Sequence, residues 1–281
     1  MKLFTLRHDS AKKLMIHGVL LTYTLIALFP IWVVIINSFK NRKAIFNDPL
    51  ALPTSDTFTL IGFEEVLLRS EFDLFFSNSM IVTLTSIFFV LLFAAMIAWA
   101  LTEYKFPGNL AISLIIAMGI MIPIRLGTIG ILELMSNLNL VNTLTSLVLV
   151  YIAQGLPLAV YILSEFIKQV PKELKEAARC DGVGEIKIFF TIIVPLIKPS
   201  IATVAVFTMI PIWNDLWFPL ILAPTDGNQT ITLGVQQFIG QYVTDWNSVL
   251  ASLTLAIVPV LILYLVFSRQ LIRGLTSGAV K

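Results

Sequence analysis

Asp215 stands in the middle of an apolar run, with Trp213 and Asn214 before it and Trp217 close behind. A carboxylate at the centre of a membrane-spanning helix costs roughly 2.5–3.5 kcal/mol to insert. About six or seven central Leu, Ile or Phe residues, at roughly 0.5 kcal/mol each, offset that cost. The segment therefore still inserts, and the charge must face protein or water. Three chemistries suit such a residue. It can line or gate a solute path, it can cap a helix kinked near Pro211 and Pro219 and so tie spans together, or it can carry a proton or cation down a gradient.

The remaining reactive side chains are sparse. His8 and His17 both lie near the N-terminus, so neither an HExxH pair nor a Ser/His/Asp arrangement can be assembled. The single cysteine, Cys180, excludes an intrachain disulfide and a multi-cysteine metal site, and reads as a small half-buried residue. No glycine is followed by lysine and no GxGxxG is present, so the chain has no phosphate loop or dinucleotide fingerprint of its own. An intramembrane enzyme would need paired catalytic groups within reach of one another, and none are evident. Arg125 and Glu133 read as an interfacial pair. Gln154, with Gly155 and Pro157, marks a bend and a second position for a path. Asp226-Gly227-Asn228 is a turn signal at a loop tip.

These residues are carried by a chain with mean hydropathy +0.90. It is 57% hydrophobic and only 13% charged, against about 25% charged in soluble proteins. The class is all-α and polytopic, a single transmembrane domain over 1–281. Spans are expected at about 14–39, 74–101, 110–132, 143–164, 200–222 and 249–268. The first is too long for a signal-peptide core of about 7–15 residues and has no A-x-A site. With both termini in the cytoplasm, fourteen of the nineteen Lys and Arg residues lie inside, as the positive-inside rule requires. Lys40, Arg42 and Lys43 run against it.

The stretch 168–199 is a polar island that holds six of those nineteen cations and faces the cytoplasm in this orientation. Pro171 suits a first helical position. Strong helix formers follow to Asp181, with Lys172–Glu176 and Glu176–Arg179 at ion-pair spacing. Gly182 stands where a C-cap glycine would. Ile186, Phe189, Phe190 and Ile193 then form one apolar stripe on a second helix, which Pro195 and Pro199 end. The result is a helix–turn–helix, either resting on lipid head groups or docked against a partner.

The spacing of Glu176-Ala177-Ala178, Gly182, Ile192 and Val194-Pro195 resembles the EAA signature of ABC importer permeases, with Val194 where leucine is usual. Trp213-Asn214-Asp215 through Pro219-Leu220 resembles the WN[DE]-x-x-x-PL segment of the carbohydrate branch. Arg273–Lys281 resembles its RGLTAGAVK tail, and Asn37-Ser38-Phe39-Lys40 is also typical of it. The resemblance covers the whole chain and points to the smaller, six-span permease of the maltose-transporter type.

That resemblance implies a bacterial inner-membrane subunit of a binding-protein-dependent sugar or oligosaccharide importer. Its partners would be a related second permease, an ATP-binding subunit dimer and an extracytoplasmic sugar-binding protein. It would carry no cofactor, with ATP and Mg on the partner ATPase, and nothing suggests nucleic acid. The implied ATPase-coupling set is Glu176 (salt bridge), Ala177 and Ala178 (close packing), Asp181, Gly182 (turn), Pro195 and the tail from Arg273. The implied pathway or gate set is Trp213, Asn214, Asp215, Trp217 and Gln154, since aromatic faces stack on sugar rings and amides bind hydroxyls. Asp226, Gly227 and Asn228 would meet the binding protein or would form a plain exposed turn. The alternative, a gradient-driven transporter with Asp215 as its ion site, leaves the island unexplained.

Overall fold

A computed structural model of the chain describes residues 2–239 and 244–277. Its regular elements are helices, and the described residues contain no β-strand beyond two isolated bridges. The chain forms two compact units, one from Met1–Phe72 with Val235–Ile257, the other from Asp73–Gly234 with Val258–Lys281.

In the first unit, α1 (Lys2–Ser38) is apolar from Lys12 onward and buries almost none of that surface. A helix apolar all round needs lipid or another chain about it. Its hydroxyls fold back on the backbone: Thr22 Oγ1 donates to Gly18 O at 2.9 Å and Thr24 Oγ1 to Leu20 O at 2.8 Å. The helix thus brings no free donor from these residues into an apolar surrounding.

The end of α1 closes into a knot. Asn37 Nδ2 donates to Val33 O and Pro49 O, both at 2.7 Å. Lys40 is buried, its Nζ donating to Asp48 O at 2.9 Å and its carbonyl accepting from Asn247 Nδ2 at 2.7 Å. Burial lowers the Lys40 pKa, against the opposing pull of Asp48. Lys40, which runs against the expected charge bias, therefore serves packing.

In the second unit, α2 (Phe72–Glu103) is followed by α3 (Asn109–Met121), α4 (Thr128–Asn137) and α5 (Leu144–Ile167). Three helices among the described residues are each long and apolar enough to cross a membrane: Lys12–Ser38 of α1, α2 and α5. The expected third span is broken, for α3 and the segment leading into α4 meet at 92°. The 13 residues of α3 rise about 20 Å, short of the roughly 30 Å of hydrocarbon. Ile122 is extended (φ −88°, ψ 116°), as the residue before a proline prefers to be.

The polar island forms α6 (Lys172–Cys180) and α7 (Glu185–Leu196), followed by α8 (Lys198–Trp213) and α9 (Trp217–Leu222). Two expectations here need correction. Pro195 lies inside α7, and the chain instead turns by 76° at Ile197. The expected 200–222 span runs unbroken through Pro211 and parts at Asn214–Leu216. The last helix, α10 (Trp246–Ser277), extends past both ends of the expected 249–268.

Small side chains set the helix packing. Ala94, Ala95 and Ala98 of α2 meet Ala159, Val160 and Leu163 of α5 in one buried cluster, which continues into Ala178, Ile188 and Ile193. Close approach replaces hydrophobic drive where the alternative surrounding is itself apolar. Gly155 sits at a close approach: a Cβ there would lie 2.9 Å from Val90 Cγ2. A second cluster joins Val82, Leu147, Tyr151, Ile212, Phe218 and Leu222.

Candidate functional site

The α6–α7 hairpin is bolted to the end of α2. Lys175 and Arg179 are one helical turn apart, so both side chains reach the same carboxylate. Lys175 Nζ pairs with Glu103 Oε2 at 2.5 Å and Arg179 Nη2 with Glu103 Oε1 at 2.7 Å. Arg179 Nε also reaches Glu185 Oε1 at 2.7 Å, and Tyr104 donates its hydroxyl to Glu185 Oε2 at 2.6 Å. The Lys175 ammonium lies 5.4 Å from the Trp99 ring centroid. Its side chain is 7% exposed and that of Glu103 12%, so each desolvated charge depends on the other. Hydrogen bonds to Glu185 and Glu103 raise the Arg179 pKa, while Arg179, then Tyr104, hold Glu185 below its ordinary 4.5.

The turn between the two helices follows from one residue. Gly182 has φ +74°. Its N–H bonds Arg179 O at 3.0 Å, and that of Val183 bonds Ala178 O at 3.0 Å. This is the two-bond Schellman closure, with Val183 packed into the same cluster as Ala178.

The hairpin faces differ from the expected ones. Glu176 is exposed, and Arg179 pairs with Glu103 and Glu185 instead of with it. Ala178 is buried within this chain, whereas Ala177 and Asp181 are exposed. Cys180, expected half-buried, is exposed. Along α7, Ile186 and Phe190 point outward while Ile188, Phe189 and Ile193 are buried. A π turn at Phe189–Ile193 shifts the helical phase and breaks the expected stripe. Pro195 is exposed on α7.

Asp215 gathers a second cluster. It is buried at the break between α8 and α9. Oδ1 accepts from Arg125 Nη2 at 3.0 Å and Oδ2 from the Tyr151 hydroxyl at 2.9 Å. The N–H groups of Trp217 and Phe218 also donate to the carboxylate, at 3.3 and 3.1 Å. They are among the first N–H groups of α9, which have no partner inside their own helix. The Asp215 carbonyl accepts from Thr232 Oγ1 at 2.6 Å. Arg125, expected to pair with Glu133, instead reaches from the α3–α4 break to the α8–α9 break.

The neighbours of Asp215 divide. Trp217 is 42% exposed, its Nε1 donating to Thr128 Oγ1 at 3.0 Å, with the Arg125 guanidinium 5.9 Å from the ring centroid. Trp213 is buried edge-on against Phe76, so Trp217 alone of the pair presents a face. Asn214 is exposed and bonds Ile210 O at 2.9 Å through Nδ2, capping α8. Gln154 lines a cavity of about 120 Å³ with Tyr151, Phe207 and Pro211.

The Asp226–Asn228 turn is anchored. Asn78 Nδ2 donates to Gly227 O and Gln229 O at 2.9 and 3.0 Å, and Asn228 Nδ2 to Asn142 O at 2.8 Å. The Asn228 amide is thereby used inside the chain, leaving Asp226 and Gly227 at the surface. The Arg273 side chain and residues 278–281 of the tail lie outside the described residues. Glu103, Tyr151 and Asn78 were not singled out from the sequence, because each is an ordinary residue until its distant partner is known.

Residues 69–277 match the family described as binding-protein-dependent transport system inner membrane component, and the chain belongs to that family. It is thus an integral inner-membrane transport component, not an enzyme, of a family with no cofactor of its own.

Three relatives are similar over nearly their full lengths. A putative ABC transporter permease protein of Caldicellulosiruptor sp. is 34% identical over 93% of this chain and 94% of that one. The arabinooligosaccharides transport system permease protein of Halalkalibacterium halodurans is 33% identical over 91% and 92%. The melibiose/raffinose/stachyose import permease protein of Bacillus subtilis is 31% identical over 90% and 91%. In fold, the chain is similar to one in the crystal structure of a bacterial ABC transporter importing the acidic polysaccharide alginate, with TM-score 0.78, 22% identity and coverage of 91% and 95%.

Proposed function

We propose that this chain is the smaller permease subunit of an ATP-driven sugar or oligosaccharide importer, with both termini in the cytoplasm and the α6–α7 hairpin as the element an ATPase moves. The carrying observation is the hairpin's attachment. Glu103 joins Lys175 and Arg179 to the end of α2, while Leu174, Glu176, Ala177, Cys180 and Asp181 remain outward. The sugar class is supported by the relatives named for arabinooligosaccharides and for melibiose, raffinose and stachyose.

In this reading a loaded binding protein docks outside near Asp226 and Gly227. ATP and Mg, held by the partner ATPase dimer, close that dimer around the outward face of α6. The hairpin moves with it, Glu103 passes the displacement to α2, and the alanine packing passes it to α5. Together with a second, related permease, the spans then change the side to which the path opens. Arg125 and Asp215 tie two broken spans beside Trp217 and Gln154 and act as its gate. The Asp215 carboxylate is already occupied by Arg125, Tyr151 and two N–H groups, which counts against a gradient-driven ion site.

The test uses the assembled importer in vesicles. Glu176→Lys reverses an exposed charge, and Gly182→Pro demands φ near −65° where the chain has +74°. Uptake and binding-protein-stimulated ATP hydrolysis should fall about 5–150-fold, the usual span of coupling free energies, at unchanged membrane levels. Maleimide labelling of Cys180 should slow when the ATPase is bound. Normal uptake and stimulation in both variants would remove the docking role.

A further inference from the structure

Two cavities adjoin where α2 and α5 end, sharing Thr102 and Lys168. One, of about 330 Å³, is lined by Lys105, Lys168, Lys172, Lys175 and Arg179, with Glu103 and Glu176. The other, of about 310 Å³, lies between α3 and α5. Its wall is apolar along Ile116, Ala117, Pro157, Val160 and Tyr161, polar at Asn109, Ser113 and Ser164, and charged only where the Glu165–Lys168 pair lines it.

The charges in the basic recess are unequally satisfied. Glu103 neutralises Lys175 and shares Arg179 with Glu185, and Glu165 pairs with Lys168 at 2.6 Å. Lys105 and Lys172 are exposed and have no ion pair among the described residues. A cationic surplus remains even with Glu165, Glu176 and Glu185 counted. An anion held there would have an apolar cleft directly beside it.

We propose that this recess binds an anionic phospholipid, its phosphate held by Lys105 and Lys172 and one acyl chain lying in the α3–α5 cleft. The site rests on α2 and α5 being spans, whose ends place the lysines at the membrane–water boundary, where basic pockets between helices take acidic head groups. It does not rest on ATPase coupling. A free phosphate would leave the apolar cleft without a role. Of the outward residues, Leu174, Ala177 and Cys180 of α6 and Asp181 beyond it do not line the recess, whereas Glu176 does, so lipid and ATPase occupy largely different faces of that helix and adjoin at Glu176.

The test is native mass spectrometry of the purified importer with equal amounts of dioleoyl phosphatidylglycerol and dioleoyl phosphatidylcholine. The wild type should retain the phosphatidylglycerol preferentially. Lys105→Gln and Lys172→Gln should each weaken its retention about fivefold, and together about thirtyfold. Ala117→Phe, which fills the cleft without changing a charge, should also lose it while keeping the ATPase subunits.

Equal retention of the two lipids by the wild type, or unchanged retention in the double lysine variant, would overturn the proposal. Displacement by inorganic phosphate with Ala117→Phe unaffected would assign the recess to free phosphate. Loss of the ATPase subunits from the double variant with lipid still held would assign the lysines to that partner. Either result also overturns the lipid site.

Discussion

The Glu103 and Asp215 clusters use the same chemistry, a carboxylate taken largely out of solvent and met by arginine, and do opposite things with it. Glu103 ends a continuous helix and receives two cations, one of which, Lys175, is itself buried. Opening that joint leaves an ammonium without water or counter-charge. Asp215 sits between two helix fragments and receives one cation, Arg125, whose side chain is 63% exposed. Arg125 can return to water at little desolvation cost, while Tyr151 and two N–H groups stay on the carboxylate. The first cluster is a rigid joint, and the second is a tie that can be released. What separates them is the burial of the cation.

Substitutions that leave one charge behind should widen or erase this contrast. Glu103→Gln strands Lys175 and should cost about 3–5 kcal/mol at the joint. Hydrogen exchange across 172–183 should rise accordingly. Unchanged exchange would mean the hairpin is held by its apolar face alone.

Arg125→Met should cost less, about 1–3 kcal/mol, because Asp215 keeps its neutral donors. Adding Asp215→Asn should recover part of that loss, since neighbours in one network are not additive. Thermal unfolding of the assembled importer reads both. An Arg125→Met effect as large as that of Glu103→Gln would make the two clusters equivalent.

Acidification should have the smallest effect. Glu185 is held below its ordinary 4.5 by Arg179 and Tyr104. A depressed carboxylate contributes stability in full above the ordinary value and loses it as pH falls through the lowered one. Glu185 is 42% exposed, so solvent screens the pair and the contribution is modest. Protection at the α6–α7 turn, the exchange rate taken relative to the intrinsic rate at each pH, should fall slightly below about pH 4.5 and stay flat above it. A loss of protection beginning near neutrality would point to another group.

Local chemistry was legible in the order of the residues. The helical class, the hairpin between α5 and α8 and the Gly182 turn follow from residues within a few positions of one another. The π turn in α7 was not legible there, because propensity and periodicity both assume an even phase. It was the packing of Ile188, Phe189 and Ile193 that set the face. Pro211 and Pro219 suggested a kink in the fifth expected span, yet the break falls between them, where Asp215 draws the N–H groups of Trp217 and Phe218 onto its side chain.

By itself the sequence determined that this chain is helical and lipid-soluble, that its polar island folds as a hairpin and that it belongs with transport permeases. Hydropathy, helix signals and motif spacing are properties of neighbouring residues. Only the tertiary structure decided that Glu103 bolts the hairpin to α2, that Arg125 pairs with Asp215 rather than Glu133, and which alanine of the Ala177–Ala178 pair faces outward. Those facts join residues 72 to 90 positions apart or depend on which side of a helix is covered. A charge in a sequence states what it needs, and folding decides which distant group supplies it.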